Sequence, residues 1–135
     1  EQPVVESASD KSPAQRRHRV LIVDDNVDSA RFLALLLELS GHEVHIAHDG
    51  VAGLAEAERL RPDLMLLDIG LPGLNGYEVC RRIREADWGK DLRVVALTGW
   101  GQEEDRSRSR EAGFSAHLVK PVDLGALTRI LATLP

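Results

Sequence analysis

Three stretches of this chain are unbroken apolar runs: Val20-Leu21-Ile22-Val23, Leu64-Met65-Leu66-Leu67 and Val94-Val95-Ala96-Leu97. A strand turns successive side chains to opposite faces, so a strand that is apolar at every position is buried on both. Sheets covered on both faces are typically parallel, because the crossovers between parallel strands lay helices over them. The segments between the runs supply such helices. From Val27 to Leu39, Phe32, Leu33, Leu36 and Leu37 recur at helical spacing, with Asn26 placed as N-cap and Gly41 as a stop. Leu54, Ala57 and Leu60 repeat behind Asp49, a second N-cap, and Arg61-Pro62 closes that helix. A third helix carries Val79 and Ile83, and a fifth repeats Leu124, Leu127, Leu131 and Leu134. Between them the run from Gln102 to Glu111 has no apolar residue and reads as a solvated helix, held weakly by pairs such as Glu104 with Arg108. Val44 and Ile46 alternate with Glu43 and His45 as in a half-buried strand near an edge, and a last strand spans about Ala116 to Val119.

Five alternating strand and helix units predict an α/β fold: one open, doubly wound, five-stranded parallel sheet with five helices on its two faces. The strand order 2-1-3-4-5 is taken by analogy with flavodoxin-like chains of this size, not deduced from the residues. The sheet begins near residue 18, so the folded domain is expected over 18–135. Residues 1–17 are rich in Pro, Ser, Gln and charge, lack either periodicity and read as a flexible linker. The sequence opens on Glu rather than Met, which reads as a fragment or processed product whose linker joined something upstream.

Charge narrows the partners. Lys and Arg number 17 against 22 Asp and Glu, a formal charge of −5, so no basic field draws in nucleic acid or anionic lipid. No apolar run approaches the roughly 20 residues that span a bilayer, and the N-terminus lacks the apolar stretch of a signal peptide. The single cysteine, Cys80, cannot form a disulfide within the chain and falls in a helical pattern where it packs. A cytoplasmic protein without direct membrane contact is expected.

In open α/β sheets the functional crevice lies beyond the carboxyl ends of the strands. Asp24 and Asp25 follow the first strand, Asp68 ends the third, Thr98 ends the fourth, and Lys120 with Pro121 ends the fifth. Each has a plainer reading when taken singly. The acid pair could cap a helix, Thr98 could satisfy a loop backbone, and His117 or Trp100 could simply pack or lie exposed. Together they form an unusual rim of three carboxylates, a hydroxyl and an ammonium. Carboxylates a few ångströms apart repel by roughly 4 kcal/mol per pair at an effective dielectric near 20, so such a cluster recruits a cation. Oxygen-only donors favour Mg²⁺, with Mn²⁺ as a substitute, and no Cys or His cluster suits zinc. An Asp beside that metal can attack phosphorus and form an aspartyl phosphate, while Lys120 and Thr98 steady the phosphoryl oxygens.

The stretches Val20 to Asn26, Leu67-Asp68-Ile69-Gly70-Leu71-Pro72-Gly73, Ala96-Leu97-Thr98-Gly99 and Lys120-Pro121 resemble the receiver domains of response regulators in two-component signalling. The resemblance covers about Arg19 to Leu134. It implies that Asp68 is the phosphoacceptor, that Asp25 binds the metal directly, and that Asp24 acts largely through a metal-bound water. It further implies that the backbone carbonyl of Gly70 is a metal ligand, that Thr98 moves toward the phosphoryl group, and that Lys120 pairs with it across a cis Lys120-Pro121 bond. The donor would be a histidine kinase or a histidine phosphotransfer domain, and the face built from strands 4 and 5 with helices 4 and 5 would switch. His117 stands where many receivers carry Tyr or Phe as the switching aromatic, and Gly70 and Trp100 occupy positions that influence phosphoryl lifetime. The segment from Leu97 to Glu104 resembles receivers fused to kinases, so the receiver of a hybrid histidine kinase is expected, with a free-standing regulator as the alternative. A metal-dependent phosphatase of the haloacid dehalogenase type ranks lower, since its Asp-x-Asp pattern on the first strand is missing. A flavodoxin-like electron carrier ranks lower again, because acids after the first strand would repel a flavin phosphate.

Overall fold

A computed structural model describes residues 17–99 and 106–135. Along the chain run β1 (Arg19–Val23), α1 (Val27–Leu39), β2 (Glu43–Ala47), α2 (Gly50–Leu60), β3 (Leu64–Asp68) and α3 (Gly76–Glu85). A 3-10 turn at Asp87–Gly89 leads to β4 (Arg93–Thr98), α4 (Arg106–Ala112), β5 (Ala116–Val119) and α5 (Leu124–Ala132). The five strands form one parallel sheet in the order β2-β1-β3-β4-β5, the doubly wound arrangement expected from the alternation.

The unbroken apolar runs do what their pattern requires. Leu21, Val23, Met65, Leu67, Val94 and Ala96 turn to one face, where α2, α3 and α4 cover them with Ala57, Leu60, Val79, Cys80, Ile83 and Ala112. Val20, Ile22, Leu64, Leu66, Val95 and Leu97 turn to the other, under α1 and α5 with Leu33, Leu37, Leu127 and Leu131. Burying one Leu or Ile side chain stabilises by about 1.5–3 kcal/mol, so these two aliphatic layers hold the fold with little aromatic help. β2 lies at one edge and is half-buried from Glu43 to Ile46, as its alternation suggested.

Caps set the helix boundaries. The Asn26 side chain accepts from Ser29 N–H at the start of α1, and that of Asp49 accepts from Ala52 N–H at the start of α2. Two further caps were not read from the sequence: the Asn75 side chain accepts from Glu78 N–H at the start of α3, and that of Asp123 from Gly125 N–H at the start of α5. Gly41 takes the left-handed conformation that ends α1, at φ +96°. Leu134 lies past the end of α5 yet is buried, so its part in the apolar repeat is met by the chain just after the helix. The polar run expected as a helix is seen as α4 from Arg106, while Gln102 to Asp105, Trp100 and the linker residues 1–16 lie outside the described residues. Among the described residues no helix is long and apolar enough to cross a membrane.

Candidate functional site

Register aligns the strand tips. Val23 pairs with both Ala47 and Leu67, Asp68 with Leu97, and Thr98 with Val119. The residues that follow therefore emerge level along the carboxyl edge of the sheet. Asp24, Asp25 and Asp68 each offer an oxygen there, and these oxygens lie within 4.8 Å of one another. Asp24 and Asp68 are buried and Asp25 is exposed, so the cluster opens to solvent on one side.

Lys120 reaches into the cluster from the end of β5. Its Nζ donates to Asp24 Oδ2 at 2.9 Å and to Asp68 Oδ2 at 3.3 Å. The Lys120 N–H donates to the Thr98 carbonyl at 2.7 Å, and the following Lys120-Pro121 bond is cis, as the resemblance implied. Each buried acid also has a backbone donor. Asn26 N–H donates to Asp24 Oδ1 at 3.0 Å and Gly70 N–H to Asp68 Oδ1 at 2.8 Å. Burial pushes the Asp68 carboxyl above its ordinary range and the nearby Asp24 adds to that, while Gly70 N–H and the Lys120 ammonium pull it back. Burial would lower the Lys120 ammonium, but its bonds to Asp24 and Asp68 win and hold it above the usual lysine range.

One ammonium among three carboxylates leaves excess negative charge in a half-buried site. The donor atoms are carboxylate oxygens, which suit a hard divalent cation such as Mg²⁺ and fit zinc or copper poorly. The arrangement can therefore hold such an ion against an anionic group, with Asp68 set as a nucleophile beside an ammonium.

The structure brings together Asp24, Asp25, Asp68 and Lys120. Thr98 is buried at the tip of β4, and its hydroxyl donates to the Leu118 carbonyl at 3.5 Å. The contact seen for Gly70 is made by its amide, which steadies the Asp68 carboxylate. His117 is exposed on β5, its ring centroid 5.9 Å from that of Phe114, which stands 6.0 Å from the ring of Tyr77. Two supporting residues gave no sequence signal. His48 bonds the Asp24 carbonyl through Nδ1 at 3.0 Å. Gly76 lies so close to the Asp68–Ile69 backbone that a Cβ there would sit 2.6 Å from Ile69 Cα. Isolated polar residues and single glycines lack the periodicity by which elements are read.

The comparisons with known proteins agree with this geometry. The family model described as "Response regulator receiver domain" matches residues 20–132. RpaA of Synechocystis sp., a DNA-binding dual master transcriptional regulator, is 38% identical over 117 residues, which cover 86% of this chain but only 48% of that protein. The chain thus spans about half the length of that relative. Protein PilH of Pseudomonas aeruginosa is 35% identical over 113 residues, covering 84% of this chain and 93% of its own. Among solved structures, the receiver domain of the sensor histidine kinase PA1611 from Pseudomonas aeruginosa PAO1 superposes with a TM-score of 0.77 at 34% identity, covering 86% of this chain and 95% of that one. Its structure has a magnesium ion coordinated in the active site cleft. With its sheet order, its acidic rim and the family match over most of its length, this chain belongs to the response regulator receiver domain family.

Proposed function

We propose that this chain accepts a phosphoryl group on Asp68 from a phosphohistidine of a histidine kinase or histidine phosphotransfer domain, in a Mg²⁺-dependent step. The observation that carries this reading is the meeting of Asp24, Asp25 and Asp68 within 4.8 Å with Lys120 bonded across two of them. Asp25, Asp68 and the Gly70 carbonyl would hold the ion, with Asp24 acting through its water shell; Mn²⁺ can substitute. When bound, the ion supplies charge neutralisation for the phosphoryl oxygens.

The remaining chemistry belongs to the chain's own residues. A carboxylate oxygen of Asp68 attacks phosphorus, the phosphorus–nitrogen bond of the donor breaks, and the electron pair leaves on the imidazole. Gly70 N–H holds the Asp68 carboxylate in place, and Lys120, already beside it, pairs with the transferred group. The Thr98 hydroxyl then exchanges its long bond to Leu118 for one to a phosphoryl oxygen. That movement biases the face made by β4, β5, α4 and α5, with His117 in the aromatic switch position.

The receiver is read as part of a hybrid histidine kinase, with residues 1–17 as its linker. The likeness to the receiver of the sensor kinase PA1611 supports this. Near-complete coverage of PilH favours the alternative of a free-standing regulator. The net acidity argues against nucleic acid as a partner of this stretch, and a cytoplasmic location is proposed. Incubating the chain with acetyl phosphate and Mg²⁺ and weighing it intact tests the reading. Wild type gains one phosphoryl mass that chelation of Mg²⁺ prevents, and Asp68→Ala gains none. Equal gain in both proteins moves the acceptor elsewhere, and steady release of phosphate from small esters with no mass gain favours a phosphatase.

A further inference from the structure

The backbone of Asp24 is held on both sides, by the last residue of β2 and by the residue that follows it. The Asp24 N–H donates to the Ala47 carbonyl at 3.1 Å, which extends the β1–β2 ladder one step past Val23. On its other side the Asp24 carbonyl accepts from His48 Nδ1 at 3.0 Å. A carbonyl oxygen carries no proton, so Nδ1 is the donor in this bond.

With both carboxylate oxygens of Asp24 engaged by Asn26 N–H and Lys120 Nζ, the residue has its amide, carbonyl and side chain all fixed. Its carbonyl belongs to the peptide plane whose nitrogen begins Asp25. Fixing that plane sets where the Asp25 Cα sits, and Asn26 N–H, tied to Asp24 Oδ1, restrains the peptide plane on the other side of Asp25, so the two planes together set the direction in which its exposed side chain leaves the backbone. We infer that His48 is a positioning residue: its Nδ1–H, bonded to the Asp24 carbonyl, holds the Asp24–Asp25 peptide so that Asp25 points at the shared metal position with Asp68. The inference rests on the metal-dependent reading of the site given above. It adds a residue outside the acidic rim whose job is to pre-organise divalent-cation binding.

His48 is exposed, so replacing it leaves no cavity. Asn is the informative conservative variant, since its amide Nδ2 lies where the imidazole Nδ1 does, whereas Gln puts its amide where Nε2 would be. The test is a calorimetric titration of Mg²⁺ alone into wild type, His48→Ala, His48→Asn and His48→Gln, with melting temperatures in metal-free buffer as a folding control. The Mg²⁺ dependence of acetyl phosphate labelling is read beside it. His48→Ala and His48→Gln are expected to bind Mg²⁺ about tenfold more weakly, in the range known for supporting partners of metal ligands. His48→Asn is expected to regain most of the affinity, and the labelling defect to appear in the Mg²⁺ half-saturation rather than in the rate at saturation. Equal Mg²⁺ affinity for all four proteins overturns the inference, as does a loss in Asn equal to that in Ala. A wild type that neither binds Mg²⁺ nor takes label overturns the functional reading itself, a result distinct from failure of the His48 clamp.

Discussion

Asp68 is a carboxylate held where carboxylates are costly. It is 6% exposed, its pKa is pushed up chiefly by burial, and Asp24 stands beside it. Under the proposed phosphoacceptor role, it is kept there at the expense of stability. Replacing Asp68 with Asn, which retains the acceptor for Gly70 N–H, is therefore expected to stabilise the metal-free protein by about 1 kcal/mol, measured by urea unfolding at pH 7. A less stable variant would mean that the Lys120 pairing outweighs burial. A second residue sets a pH response away from the site. His42 is buried beside His18, accepts the His18 N–H at Nδ1, and leaves its Nε2 with no partner among the described residues. Burial, then the neighbouring His18 and Arg17, lower its pKa below the usual histidine value. The unfolded chain thus binds a proton more readily than the folded one. The stability this gives is complete above about pH 6.5 and declines as the pH falls through the lower folded value. His42→Asn keeps an acceptor for His18 N–H without titrating, so its stability should fall less between pH 7 and pH 5 than that of wild type, by chemical denaturation at each pH.

At the scale of elements, the strands and their tips were legible and the joints were not. Unbroken apolar runs have one physical meaning, burial on both faces, so β1, β3 and β4 and the acids at their ends could be read directly. Asn26 and Asp49 were legible because each precedes an apolar repeat. Asn75 follows the loop Leu71-Pro72-Gly73-Leu74, which hides where α3 begins, and Asp123 likewise comes two residues after Pro121, so neither cap was read. Arg84 is the clearest case of what a sequence conceals. It looks like a surface residue of α3, yet its guanidinium donates to the carbonyls of Gly113, Gly89 and Leu92 and to the Ser115 hydroxyl. It thereby ties the end of α3 to the loops that lead into β4 and β5. Arg84→Met should destabilise by about 2–3 kcal/mol by leaving carbonyls unpaired, and Arg84→Lys should recover little because an ammonium cannot span that fan of acceptors. Urea midpoints of the three proteins decide it. Helix α4 is the opposite case: of residues 107–112 only Ser109 and Ala112 are buried. Its amides should exchange with solvent faster than those of α1 or α3 and should change on phosphorylation if this helix reports the switch.

For the molecule as a whole, the two aliphatic layers place the acidic rim, and under the proposed metal-dependent reading a cation bound there would return stability that the clustered acids give up. Mg²⁺ binding only the folded state at one hundred times its dissociation constant should add about 2.7 kcal/mol, seen as a raised melting temperature. Asp25→Asn removes a proposed ligand whose side chain makes no hydrogen bond or ion pair among the described residues, so it should lose that increment while melting normally in metal-free buffer. The order of the strands was available only by analogy, because right-handed crossovers permit several doubly wound orders and no residue pattern selects among them. The family's residue roles for Thr98, Gly70 and His117 likewise concern a state with a phosphoryl group bound. Whether the phosphoryl group comes to rest on Asp68 is read by chemical trapping. Borohydride reduction of the acetyl phosphate-treated protein converts an aspartyl phosphate to homoserine, and peptide mass mapping then locates the converted residue. Homoserine is expected at position 68 alone and only when Mg²⁺ is present; homoserine at another acid, or none in a protein that has gained phosphoryl mass, would place the phosphoryl group elsewhere than on Asp68.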